Sequence, residues 1–302
     1  MKTISRIQDR IEAKAHSASS RFTGIIRVIA SDRLGRLGLI VLIGIILMAV
    51  FAEFIAPHDP TQPNFGNQYA PPSVEHPMGT DNRGHDIFSQ IIFASRPALL
   101  IGGITSLAVA TIGTIIGVLS GYYGGRVDDA LMRLVDFTYG LPLLPFLIVA
   151  VGLFNPSLAT IIAAMGLLLW RGTARVIRSH VLTIKEKPYV KSVRASGASD
   201  GRIIIRHIIP NVLPLTFLYG SFAVGWAILT EANLSFLGFG DPEVMTWGKM
   251  LLLARQNQAL VLDAWWWFFG PGLMIMAFVM SVFAIGRAYE EELNPEISEG
   301  GM

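Results

Sequence analysis

The chain has 302 residues, of which 52% are hydrophobic and 15% charged, with no cysteine and a formal net charge of +2. An average soluble domain carries about 25% charged residues, so this composition points to a membrane protein. It excludes disulfides, thiolate metal sites and cysteine nucleophiles, and so small a net charge gives no footprint for nucleic acid.

Residues 1–36 precede any long apolar run. No cleaved signal is expected there, because the first such run starts near Leu37, has the length of a span and is followed by Pro57 rather than by a small-residue cleavage site. Ile4, Ile7 and Ile11 recur at helical spacing, which predicts an amphipathic helix lying along the membrane. A helix crossing roughly 30 Å of hydrocarbon needs about 20 apolar residues, and 37–56 supplies the first span.

Residues 57–96 form an outer segment with six prolines, His58-Asp59, His76 and His85-Asp86. Imidazole with carboxylate is metal-binding chemistry, but no spacing here matches a known site, so a packed cap without metal is expected. The second span lies inside 97–125, where Gly102, Gly103, Gly113, Gly117 and Gly121 favour close helix contact; a hinge is the alternative. From Phe137 to Trp170 no residue is charged, too long a stretch for one span and enough for two, with the break at Asn155-Pro156. Asp136, at the inner end of the third span, is expected to stay wet. The fifth span runs from about Val212 to Thr230. Glu231 and Asn233 follow it as candidates for a substrate path, opening the re-entrant or cap stretch "NLSFLGFG". The sixth runs from Ala264 to Gly286, with Trp265, Trp266 and Trp267 as an aromatic belt at its outer start. Residues 287–302 are an acidic tail.

Segments on the side of the N-terminus carry twenty Lys and Arg, those on the opposite side four. The positive-inside rule then places both termini in the cytoplasm, with 97–286 a five-span core whose cytoplasmic loop is 171–211. Within that loop "KPYVKSVRASGASDGRIIIRHIIPN" reads as two short helices. Pro188 suits a first helical position, and Tyr189, Val190 and Val193 share a face. Gly197 permits a turn, Ser199 or Asp200 caps the next helix, and Ile204, Ile205, Ile208 and Ile209 repeat at helical spacing until Pro210 stops it. Such a knuckle is a docking device; a basic anchor at anionic headgroups is the bland alternative. Gly248-Lys249 is followed by Met250 where a phosphate loop needs Ser or Thr, so no nucleotide site is expected in the chain.

The knuckle resembles the cytoplasmic coupling loop of binding-protein-dependent ABC importer permeases. Gly197 and Pro210 keep that family's separation, while Lys191-Ser192-Val193 stands where Glu-Ala-Ala is usual, His207 where Ile is and Ile209 where Leu is. "GASD" and "RHIIPN" are similar to the dipeptide, oligopeptide and nickel subfamily. "FAEFIAPHDP", "HPMGTDNRGHDIFSQIIFASRPALLIG", "MRLVDFTYGLP" and "EANLSFLGFGDPEVMTWGKML" resemble segments of its second permease subunit in the same order. His85 and Gln90 stand where the family usually has Arg, and Ala94 where it has Gly.

The resemblance implies an all-α, type I importer permease of six spans in the cell membrane. Tyr189, Arg194, Gly197, Ala198, Ser199, Asp200 and Arg202 would meet a cytoplasmic ATPase. Expected partners are a second permease, two ATPases that hold the ATP and Mg, an extracytoplasmic solute-binding protein and the bilayer, with no cofactor on this chain. Di- and oligopeptides are the expected cargo, with oligosaccharides or nickel as alternatives. An intramembrane enzyme is disfavoured because the six spans hold no His and one boundary Asp, and an ion-coupled carrier by the scarcity of intramembrane carboxylates and of paired repeats.

Overall fold

The computed structural model describes residues 29–293, and among them the only regular secondary structure is helical. Of the amphipathic N-terminal helix expected over 1–31, residues 1–28 lie outside the described residues, as does the end of the acidic tail. Helix α1 (Arg33–Val50) opens where Asp32 accepts a hydrogen bond from the Gly35 amide at 2.7 Å, and a short α2 (Ala52–Ile55) prolongs it. After the cap segment come α3 (Ile87–Tyr123), α4 (Gly125–Gly140), α5 (Leu143–Phe154) and α6 (Leu158–Lys185). Then follow α7 (Pro188–Ala195), α8 (Asp200–Ile203), α9 (Ile209–Phe236), α10 (Trp247–Gln256) and α11 (Trp266–Leu293).

Five of these stretches are long and apolar enough to cross a membrane, and α4 with α5 makes a sixth that is bent by 85°. The bend alters the expected third span. Leu141-Pro142 breaks the helix, leaving in α5 twelve residues, or about 18 Å of rise. Asn155, with φ +70°, closes α5, and Ser157 starts α6 by accepting the Thr160 amide, so the break expected at Asn155-Pro156 is present.

The second span begins earlier than charge counting placed it. Asp86 Oδ2 accepts the Ser89 amide at 2.8 Å and starts α3, which then runs through Pro97 to Tyr123. Its 37 residues rise about 55 Å, more than the hydrocarbon thickness. The most extensive helix contact is between α3 and α6. There a Cβ added at Gly113, Gly117 or Gly121 would lie 2.7, 2.7 or 2.8 Å from Thr173, Ile177 or Val181, so these glycines serve close packing. Gly103 faces open space instead.

Helix α9 overturns the expectation that Pro210 stops a helix. Residues Ile204–Ile208 form a π turn, and the Ile209 amide reaches back to the Ile204 carbonyl. The wide turn falls just before the residue that has no N–H to give, and the chain stays helical from Asp200 to Phe236. Likewise, Arg171 to Lys185, read from the sequence as loop, are the last turns of α6.

At the opposite end, residues 57–86 fold into a cap organised by Asp81. Its carboxylate accepts the amides of Arg83 and His85 at 2.7 and 3.0 Å, His85 Nδ1 at 2.8 Å and Gln90 Nε2 at 3.0 Å. His85 therefore pairs with Asp81 rather than with its neighbour Asp86. The tryptophan belt is also corrected: Trp265 is half exposed, but Trp267 is buried beneath Tyr69, and Trp266 donates Nε1 to the Thr80 carbonyl. Two of the three indoles hold the cap to α11 and do not meet lipid.

Candidate functional site

The knuckle forms at the end of the bundle that carries most of the Arg and Lys. Pro188 occupies the first turn of α7, and Val190 is fully buried. The helix ends in a Schellman closure: the Gly197 amide bonds the Arg194 carbonyl at 3.0 Å and the Ala198 amide reaches the Val193 carbonyl. That closure requires a left-handed residue, and Gly197 has φ +81°. Ser199 is extended and begins α8, yet its side chain makes no capping bond. Nor does Asp200 cap. Its carboxylate accepts the hydroxyl of Tyr122, from the end of α3, at 2.7 Å.

Apolar burial fixes the knuckle to the bundle. Val190, Ile203, Ile208 and Val212 pack with Val118 and Tyr122 of α3 and with Ile177, Val181 and Ile184 of α6, while Val193, Ala198 and Ile204 cover the edge. Each fully buried aliphatic side chain contributes about 1.5–3 kcal/mol, so the loop is a rigid extension of the helices. The expected isoleucine face is shifted by the π turn: Ile203 is buried and Ile205 is 67% exposed.

Charged groups complete the support. Arg178 grips Asp128 through two bonds of 2.6 and 2.5 Å, joining α6 to α4, and Lys185 Nζ donates to the Gly121 carbonyl at 2.7 Å. Arg194 lies over the Tyr122 ring, 5.4 Å from its centre. On the outer face Lys191, 2.8 Å from Glu186, lowers that carboxyl below its ordinary range; both partners are exposed, so the pair adds little stability. Tyr189, Arg194, Gly197, Ser199, Asp200 and Arg202 are all exposed, with Ala198 half-buried among them.

Tyr122 gives no signal in the sequence as part of this site, being 78 positions from Asp200. Replacing Tyr122 with phenylalanine removes one hydrogen bond worth about 1 kcal/mol, a factor of roughly five in local opening. Amide exchange across 199–203 should accelerate by that factor while amides in the middle of α3 and α6 stay unchanged.

The two residues expected on a substrate path separate. Glu231 is buried within the chain and accepts the Ser235 hydroxyl at 2.6 Å, packed toward α10. Asn233 is exposed and lines an apolar hollow of about 310 Å³ with Phe236, Leu251 and Phe268. They do not form one site. The stretch after them leads to α10, whose ten residues are too few to span and which packs against α9 and α11. Asp136 is exposed and paired with Arg175.

Residues 113–294 match the family model described as binding-protein-dependent transport system inner membrane component, and residues 20–72 match the N-terminal TM domain of oligopeptide transport permease C. The chain is 34% identical to a dipeptide transport system permease protein of Bacillus subtilis, over 90% of this chain and 84% of that one. It is 35% identical to an oligopeptide transport system permease protein of the same organism, over 88% and 87%. A probable D,D-dipeptide transport system permease protein of Escherichia coli is 29% identical over 96% and 97%. With five helices long and apolar enough to cross a membrane, a bent pair beside them and both models matched in chain order, the protein belongs to the family of binding-protein-dependent transport system inner membrane components.

Proposed function

We propose that this chain is one permease subunit of an ATP-driven importer of di- and oligopeptides, lining the path together with a second, homologous permease. The observation that carries the cargo class is identity of 34–35% over about nine-tenths of the chain to permeases of dipeptide and oligopeptide systems. A membrane component of this kind is not itself catalytic, so hydrolysis falls to two ATPase subunits holding ATP and Mg, and capture to an extracytoplasmic binding protein.

The knuckle supports a mechanism. Its exposed face, from Tyr189 to Arg202, would seat in a cytoplasmic ATPase, and closure of the ATPase pair would push on a body that its buried valines and isoleucines make rigid. One continuous helix, Asp200–Phe236, rises about 55 Å from the knuckle past Asn233 to its far end. Motion at one end of such a lever reaches the other, which is what alternation between two access states needs.

Affinity purification of the tagged chain from its own membrane, followed by reconstitution, tests the reading. An ATPase should co-purify, and labelled di- and tetrapeptides should enter proteoliposomes only with ATP and the binding protein present. If no ATPase accompanies the chain, the coupling role is lost; if one does but no peptide moves, only the cargo class is lost.

A further inference from the structure

The cap brings together three residues that lie far apart in the sequence. Each of His58, His76 and Asp86 offers a ligand atom within 4.8 Å of the others, and the two imidazole rings stand 4.7 Å apart between centres. His76 is 5% exposed and Asp86 2%. The side chains are held in place: Asp86 Oδ1 lies 3.0 Å from His76 Nδ1, and its Oδ2 accepts both the amide and the hydroxyl of Ser89. The Ser89 hydroxyl in turn accepts the His58 amide at 3.2 Å, and the His76 backbone is pinned by the Ser73 hydroxyl and by the amides of Ser73 and Gly79.

Two nitrogens in this group have no partner. His76 Nε2 and His58 Nδ1 are both buried and make no hydrogen bond. They border a cavity of about 450 Å³, also lined by Asp59 and Glu75, that opens beside them. A carboxylate fixing one ring nitrogen of a histidine leaves the other as a lone-pair donor, the arrangement that orients metal-binding imidazoles. Nitrogen donors favour zinc-class cations over magnesium or calcium.

We propose that His58 and His76, with Asp86 as the orienting carboxylate, bind a divalent transition-metal ion in the cap. The ion joins the segment that leaves α2 to the turn carrying His76, which Asp86 ties to the start of α3, and water or a carboxylate at the cavity mouth completes its coordination. The site belongs to the cap, at the far end of the bundle from the knuckle, and does not depend on the cargo.

The test uses the full chain in its native complex, purified through a tag without histidine and stripped with chelator. Titration with Co2+ alone should give one saturating equivalent by visible ligand-field absorption, displaced by Zn2+. Asp86→Asn keeps a good helix cap and should weaken binding about 10–100-fold. His58→Gln and His76→Gln should weaken it at least as much, whereas His85→Gln, a nearby imidazole already bound to Asp81, should leave the titration unchanged. His58 is only half-buried, so its variant decides the matter even if replacement of His76 disturbs the cap. Absence of saturable Co2+ or Zn2+ binding in the unaltered complex, or binding that His58→Gln leaves intact, overturns the proposal.

Discussion

Replacing Gly197 with valine should leave the bundle assembled and reduce transport and substrate-stimulated ATP hydrolysis by at least about tenfold, the rate equivalent of 1.36 kcal/mol. Two physical effects meet at this position. The first is backbone strain: φ is +81°, where an L-residue costs roughly 1–2 kcal/mol and a β-branched one is least tolerated. The second would come from a partner seated on the turn, as proposed for the ATPase. A Cβ built on Gly197 meets nothing within 4 Å, so the turn is open at this point within the subunit.

Asparagine separates the two effects, because it accepts the left-handed conformation while adding comparable bulk. If the open side of the turn is where an ATPase seats, Gly197→Asn should also depress coupled hydrolysis while leaving the exchange of the 188–203 amides as in the unaltered chain. Recovery of full transport in Gly197→Asn would assign the defect to strain alone. Retention of both activities in Gly197→Val would remove the knuckle from the coupling role. The buried face of the loop, anchored by Val190 and Ile203, keeps the fold intact in both variants, which is why the readout is activity and not assembly.

The features legible in the sequence are those set by local chemistry. Apolar runs gave the spans because a bilayer selects composition over about 20 residues, and Asn155-Pro156 and Gly197 gave turns because each fixes its own backbone. The features that were not legible depend on partners distant in the chain. Asp200 has the residue type of a helix cap, yet the Tyr122 hydroxyl claims its carboxylate across 78 positions. Pro210 has the signature of a helix stop, but a stop depends on whether the turn before it can widen, and Ile204–Ile208 does so by forming a π turn. Trp266 and Trp267 look like an interfacial belt until the cap folds over them, and His58 and His76 become neighbours only through that same folding. Periodicity reports which face of an element is apolar, not what comes to cover it.

The other large effect is expected at Gly117. Gly117→Leu should prevent the isolated chain from folding to a monodisperse species in detergent, and Gly117→Ala should lower its stability by about 1–3 kcal/mol, the usual range for overpacking. A Cβ there would lie 2.7 Å from the Ala174 carbonyl oxygen and 2.7 Å from Ile177 Cβ. Neither neighbour is the free end of a flexible side chain, so relief requires α3 and α6 to move apart. Gly113 and Gly121 sit one turn to either side under the same restriction, and separation at 117 would be felt along the whole seam. Gly103 is the internal control: it lies on the same helix, a Cβ there meets nothing within 4 Å, and Gly103→Leu should fold as the unaltered chain does. Thermal unfolding followed by circular dichroism measures all three. Equal tolerance of leucine at 103 and 117 would mean that the α3–α6 seam does not hold the subunit together. The knuckle would then lose its footing, since Val118, Tyr122, Ile177 and Val181, on which it rests, are brought into contact by the same close approach.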